Sequence, residues 1–316
     1  MKAVRFHRYG DLQVLGIEDV QPRPLGPLDV LVRVRAAGIN PGEAKIRTGA
    51  LHELFPATFP SGQGSDLAGT VTSVGAAVTD WAPGDDVLGW SWERSSHAEY
   101  VVVPQDQLVP KPEALSWVRA GALYVAGTTA WAAVAAVDPR AGETVVVSGA
   151  TGGVGSIAVQ LLRLRRAHVV AVASGRHRVW LESQGATLVG YGSGAAERLR
   201  RAIESDSGGK AHAFLDFHGG EYPRIALDLG VPPRRINTLD YGAAAALGTR
   251  SEGNAEGTDR AVLSELAELA ATGRIEVLVD ATYPMTEVRA AFAHLEHDHP
   301  LGKVVLLPHD TGATEA

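Results

Sequence analysis

From residue 1 to about 121 the apolar positions fall in short runs broken by glycine and proline. VLVRVRAAG (30–38), AGTVTSVG (68–75) and AEYVVVP (98–104) alternate apolar with polar or small residues. A period of two predicts strands, and their close spacing predicts a β-rich, barrel-like region. PGDDV (83–87) reads as a turn feeding the next strand.

The pattern changes between 123 and 273. Apolar runs at 144–148, 168–173, 213–217 and 235–239 predict buried strands, with helical stretches between them. Val154, Ile157, Ala158, Leu161 and Leu162 share one helical face. Repeated β–α units predict parallel strands joined by right-handed crossovers. Beyond 274 the pattern predicts a helix with Val288, Ala291, Phe292 and Leu295 on one face, then a closing strand at 303–307. The polar tail that follows is expected to fray. The stretch 242–258, rich in Gly, Ala and Ser, follows a strand. It reads equally as a lid over a ligand or as a surface loop with a helical portion.

Composition narrows the classes. The 316 residues are 45% apolar and 21% charged, enough for two globular domains. The net charge is −7 with no basic block, which argues against nucleic acid as a partner. No apolar run approaches membrane-spanning length, and MKAVRFHRYG lacks a secretory apolar core. The absence of cysteine removes thiolate nucleophiles, disulfides and cysteine-ligated zinc, and it fits a cytoplasmic protein.

The candidate chemistry centres on VVVSGATGGVGSIAVQLL (145–162). A short apolar strand runs through Gly149, Gly152, Gly153, Val154 and Gly155 straight into the amphipathic helix. A helix N-terminus offers unpaired amides and the positive end of a dipole to a phosphate. Glycine lets backbone and pyrophosphate approach, and Gly155 lets the helix pack on the strand. The strand–turn–helix context makes this a dinucleotide site, and no Gly-Lys-Ser/Thr follows to suggest a mononucleotide loop.

An NAD site usually places Asp or Glu about 20 residues further on to hold the ribose 2′-hydroxyl. No carboxylate lies between Ala167 and Leu181. Ser174 stands in the acid's place, followed by Arg176 and Arg178. A hydroxyl and guanidinium groups suit a 2′-phosphate, so the expected cofactor is NADPH.

With AAGINPGEAKIRTG (36–49), GQGSDLAGTVTSVG (62–75), GDDVLG (84–89), VAGTTAW (125–131) and GKVVLLP (302–308) added in order, the chain resembles the quinone oxidoreductase branch of the medium-chain dehydrogenase/reductase superfamily. The resemblance covers nearly the whole chain. It implies an α/β fold with a GroES-like β-rich catalytic domain, 1–122 and 274–316. A Rossmann domain with a doubly wound parallel sheet, 123–273, is inserted between the two pieces. It also implies a cleft active site and a homodimer. Zinc alcohol dehydrogenases carry a Cys near Asn40 and a His-Glu pair where this chain has Ser65-Asp66. An amide and a hydroxyl are poor zinc ligands, so no metal is expected.

In the branch without zinc, hydride passes from NADPH to a quinone or an α,β-unsaturated carbonyl, and a hydrogen bond to the carbonyl stabilises the developing charge. The resemblance implies that NPGEAKIR lines the site. Asn40 would position nicotinamide or substrate, Lys45 would polarise the carbonyl, and Arg47 is a further candidate. Leu51 and His52 stand where some relatives place a tyrosine. Thr128 matches a position near the nicotinamide, and Tyr191 one beside the adenine ribose. Tyr124, Trp90 and Trp92 read as core or as pocket walls, and His294, His297 and His299 as a solvated helix end. The competing function is an NADPH-binding sensor or structural protein with little turnover.

Overall fold

A computed structural model describes residues 1–207 and 209–309. Of the tail expected to fray, His309 packs edge-on against Tyr100, and the residues from Asp310 lie outside those described. The chain divides into two compact units, Met1–Val125 together with the chain from Leu263 on, and Ala126–Val262. The crossings fall inside the helices Tyr124–Val137 and Arg260–Ala271, against the expected 122 and 273.

In the first unit, the strand Asp29–Gly38 is the hub. It pairs antiparallel with Asp66–Val74, Tyr100–Pro104 and the closing strand Lys303–Leu307. The closing strand pairs on its other side, in parallel, with Val279–Pro284. Val30, Val32 and Val34 face inward with Leu67, Val87 and Leu108, which is the alternation read from the sequence. A second core joins Phe6, Leu15, Ile39 and Phe292 with Val304 and Leu306. Residues from both ends of the chain thus share one core, which makes the unit discontinuous.

The second unit holds five parallel strands in the order Thr187–Gly190, His168–Ala173, Thr144–Ser148, Ala213–Asp216, Ile236–Thr238. Helices Gly153–Leu164, Ala195–Ser207 and Tyr222–Asp228 connect them. Strand order reverses beside Thr144–Ser148, the place where a doubly wound sheet opens a crevice at its carboxyl edge. The stretch 242–258 is more ordered than a plain loop. Asp240 caps the helix Tyr241–Leu247 by accepting from Ala243 N at 2.9 Å, and Gly248, with φ +66°, ends it. Arg250 then bridges to Asn237 at the edge of the sheet. Among the described residues, no helix is long and apolar enough to cross a membrane.

Candidate functional site

The glycine-rich turn divides its work between fold and ligand. Strand Thr144–Ser148 is wholly buried and delivers Gly149 with φ +64°, a left-handed conformation that suits glycine. A side chain at Gly155 would put its Cβ 2.8 Å from Ala150 Cα, with the Gly149 carbonyl oxygen closer still. Gly155 therefore sets how closely the helix Gly153–Leu164 lies on its strand. Gly152, the N-cap, is different. A Cβ there would meet nothing nearer than Gly149 O at 3.6 Å, so its outer side is open. Gly153 and Val154, both half-buried, begin the first helical turn, whose amides have no partner within the helix. The turn is an anion cradle that fits a pyrophosphate.

A carboxylate absent from the sequence reading fixes the neighbouring loop. Asp216 is fully buried at the end of strand Ala213–Asp216. It accepts from Ser148 Oγ, from Thr238 Oγ1 at 2.6 Å, and from the amides of His218 and Gly219 at 3.1 and 3.0 Å. Three adjacent strand ends and the loop after them are thus tied to one side chain. A charged residue closing the apolar run AFLD is the signal that marks it. The Gly149 position is closed by the same loop, for its Cβ would lie 3.2 Å from the Phe217 carbonyl carbon.

The other expected cofactor residues lie around this edge or behind it. Ser174 ends the strand His168–Ala173 and caps the following turn, accepting from Arg176 N and Arg176 Nε at 3.4 Å. Arg178 pairs instead with Glu182, 3.2 Å away on the same exposed helix. Tyr191 is 57% exposed just after strand Thr187–Gly190. Thr128 is fully buried, and its hydroxyl accepts from Asn254 Nδ2 at 2.9 Å. Gly257 packs against the Thr128 carbonyl, where a Cβ would lie 2.8 Å from the carbonyl carbon. The stretch read as lid or loop is therefore stitched to Thr128 through Asn254 and Gly257.

In the first unit, the helix Pro41–Thr48 presents the expected catalytic residues unequally. Asn40, at its N-cap, is buried. Glu43 accepts from Asn40 N, Asn40 Nδ2 and Ser65 N at 2.9, 3.2 and 2.8 Å. Lys303 reaches the other side of Asn40. Its Nζ donates to Asn40 Oδ1, to Ile39 O at 3.1 Å and to Asp66 Oδ2 at 3.0 Å. Asp66 is fully buried and also accepts from Val125 N at 2.7 Å. His97 donates through Nε2 to Gly38 O at 3.1 Å. Gly38 permits the convergence, since a Cβ there would lie 3.0 Å from Lys303 Cε.

Lys45 stands on the exposed face of the same helix. Arg47, grouped with it in the sequence reading, is 1% exposed instead and serves the core. It pairs with Glu296 at 2.9 Å and lies over the Phe292 ring at 5.3 Å. Trp90 and Tyr124 stack on each other in the interior, while Trp92 is exposed. His294 is held between Asp280 at 3.0 Å and the Tyr283 hydroxyl at 3.1 Å, more constrained than a solvated helix end.

Matches to known proteins follow this geometry. Residues 26–113 match the alcohol dehydrogenase GroES-like domain, and 189–306 match the zinc-binding dehydrogenase family. The chain is 28% identical to the human mitochondrial NAD(P)H oxidoreductase RTN4IP1, covering 97% of this chain and 89% of that one. It is 31% identical to the chloroplastic NADPH-dependent alkenal/one oxidoreductase of Arabidopsis thaliana, with 98% and 80% covered. The solved quinone oxidoreductase of Coxiella burnetii superposes with a TM-score of 0.85 at 26% identity, covering 98% and 99%. Fold and site together define a two-unit nucleotide-dependent oxidoreductase. The chain belongs to the quinone oxidoreductase branch of the medium-chain dehydrogenase/reductase superfamily, and its general role is that of an NAD(P)H oxidoreductase.

The zinc in the second family's description does not fit the donors present. The positions that would ligate it hold Asn40 and Ser65, and the Lys303 ammonium already lies on Asn40 and Asp66. A fixed cation among these oxygens opposes a second one.

Proposed function

We propose that this protein reduces quinones or α,β-unsaturated carbonyls with NADPH and without a metal, acting as a homodimer. The choice of NADPH rests on the end of strand His168–Ala173. Ser174 and Arg176 stand there, and no carboxylate occurs from Ala167 to Leu181. Arg176, whose Nε lies beside the Ser174 hydroxyl, is assigned to the 2′-phosphate. The amides at Gly153, Val154 and Gly155, behind the open side of Gly152, hold the pyrophosphate. Tyr191 borders the adenine ribose, and Thr128, positioned by Asn254, borders the nicotinamide.

NADPH, when bound, supplies the hydride. The chain's own residues orient and polarise. Lys45, exposed on its helix, donates to the substrate carbonyl and stabilises the charge that develops there. Asn40 acts through position: both ends of its amide are held by Lys303, Glu43 and Asp66, so it sets where the helix begins. The proton that completes the reduction comes from solvent.

Two measurements test this reading. NADPH oxidation is followed against short enones and benzoquinones; tight NADPH binding with no oxidation across the panel would leave a binding protein instead. In the second, Ser174→Asp combined with Arg176→Ala is expected to weaken NADPH by about 100-fold, the size of one or two lost charge-assisted contacts, while NADH is held as before or better. Equal weakening of both nucleotides would remove the assignment of the 2′-phosphate.

A further inference from the structure

Arg198 differs from the other arginines of the helix Ala195–Ser207. Arg200 and Arg201 both meet Glu197, at 3.8 and 3.1 Å. The hydrogen bonds of Arg198 all go to backbone carbonyls instead, and it makes no ion pair among the described residues. Nε and Nη2 donate to Gly190 O at 3.1 and 3.0 Å. Nη2 also lies on Tyr191 O at 3.1 Å and Gly192 O at 3.2 Å, and Nη1 donates to Ser193 O at 2.8 Å. Four consecutive carbonyls thus converge on one guanidinium. Hydrogen bonds from a charged donor are the stronger kind, and the planar fork holds its acceptors in a fixed arrangement.

The turn that Arg198 grips has little else to order it. It reads Tyr-Gly-Ser-Gly, and all four residues are exposed. Gly192 and Gly194 have φ +86° and +78°, and glycine is the residue that loses most freedom when it is fixed. Its place in the sheet is specific. Gly190 pairs with Ala173 on the parallel neighbouring strand, so Tyr191 and Ser174 leave the carboxyl edge side by side. Tyr222, buried after the next strand, stands against the same turn. Burial pushes its phenol up, and the Gly192 amide and the Arg198 guanidinium oppose the rise.

We propose that Arg198 is a positioning residue for the nucleotide. It sets the turn 191–194 in advance, so that the exposed Tyr191 side chain meets the adenosine end of the cofactor already in place. Ordering a turn at the moment of binding costs affinity, and ordering it beforehand removes that cost. This rests on the nucleotide reading given above, with Arg198 acting through Tyr191.

Calorimetric titration with 2′,5′-ADP, which carries only the adenosine end, and with NADPH tests it well below the melting point of every variant. Arg198→Met is expected to bind 2′,5′-ADP about tenfold more weakly than wild type, and NADPH by the same factor. Arg198→Lys keeps the charge, but one ammonium cannot span four carbonyls, and a loss of at least about threefold is expected. Tyr191→Ala weakens both ligands by itself. Adding Arg198→Met to it is expected to cost less than about twofold more, because the two residues act as one. A clamp that served folding alone would lower the melting point and leave these affinities unchanged. Wild-type affinity in Arg198→Met or Arg198→Lys, or additive losses in the double variant, overturns the inference. A wild-type protein that binds neither ligand overturns the nucleotide reading instead, and the inference falls with it.

Discussion

Replacing Lys303 by methionine is expected to lower the stability of the protein by about 3–5 kcal/mol, the cost of leaving a buried charge without its partner. The reasoning is geometric. Asp66 is fully buried and Lys303 only 4% exposed, so water replaces little of the lost ammonium. Two N–H donors remain to Asp66, from Val125 and from the Asn40 side chain, and they hold the lower end of the range open. Asn40 Oδ1 and Ile39 O lose their donor in the same change. Urea unfolding measures the loss, and a change under about 1 kcal/mol would contradict the role given to this cation. Pairing the substitution with Asp66→Asn, which removes the stranded charge, is expected to recover part of the stability.

The second large effect separates two glycines in one turn. Gly155→Val forces a side chain against the Gly149 and Ala150 backbone, neither of which can swing aside. The helix Gly153–Leu164 must lift from its strand. Loss of NADPH affinity by at least about 100-fold is expected together with a lowered melting point, overpacking alone costing about 1–3 kcal/mol. Gly152→Ala meets open space and is expected to leave the melting point unchanged. In the proposed site its methyl would stand where the pyrophosphate approaches, so NADPH affinity is still expected to fall by about tenfold. Fluorescence titration with NADPH and thermal melts on both variants provide the comparison. If Gly152→Ala binds NADPH as tightly as wild type, the phosphate lies elsewhere.

The glycine turn was legible because everything it needs is local: a buried strand, four glycines and a helical face within 18 consecutive residues, 145–162. Strands Thr144–Ser148 and His168–Ala173 match the apolar runs residue for residue, since parallel strands covered on both faces carry no polar interruption. Arg47 was misplaced although a local signal existed. Glu43, Ala44, Ile46 and Arg47 fall on one helical face, and burial of that face takes the arginine with it. Lys303 carried no such signal. Its partners Asn40 and Asp66 lie 263 and 237 positions away, and an isolated lysine opening an apolar strand looks like any strand terminus. Asn254 was hidden for the same reason, 126 positions from Thr128. The helix Tyr241–Leu247 was half-visible, for Asp240 before an alanine run is an N-cap signal that glycine and serine nearby obscured.

The strand Lys303–Leu307 sits between Asp29–Gly38 and Val279–Pro284, yet it is synthesised after both. Synthesis runs from the N-terminus, and domains fold as they emerge. The segment Ala126–Val262 is continuous and can close while translation is still under way. The other unit cannot. Until Lys303 leaves the exit tunnel, the sheet built on Asp29–Gly38 keeps an open edge and Asp66 has no cation. A message truncated ahead of Gly302 therefore yields a chain with one finished half and one unsealed half. Exposed strand edges of that kind invite aggregation, so a chain lacking this strand is expected to aggregate even though its other unit is complete.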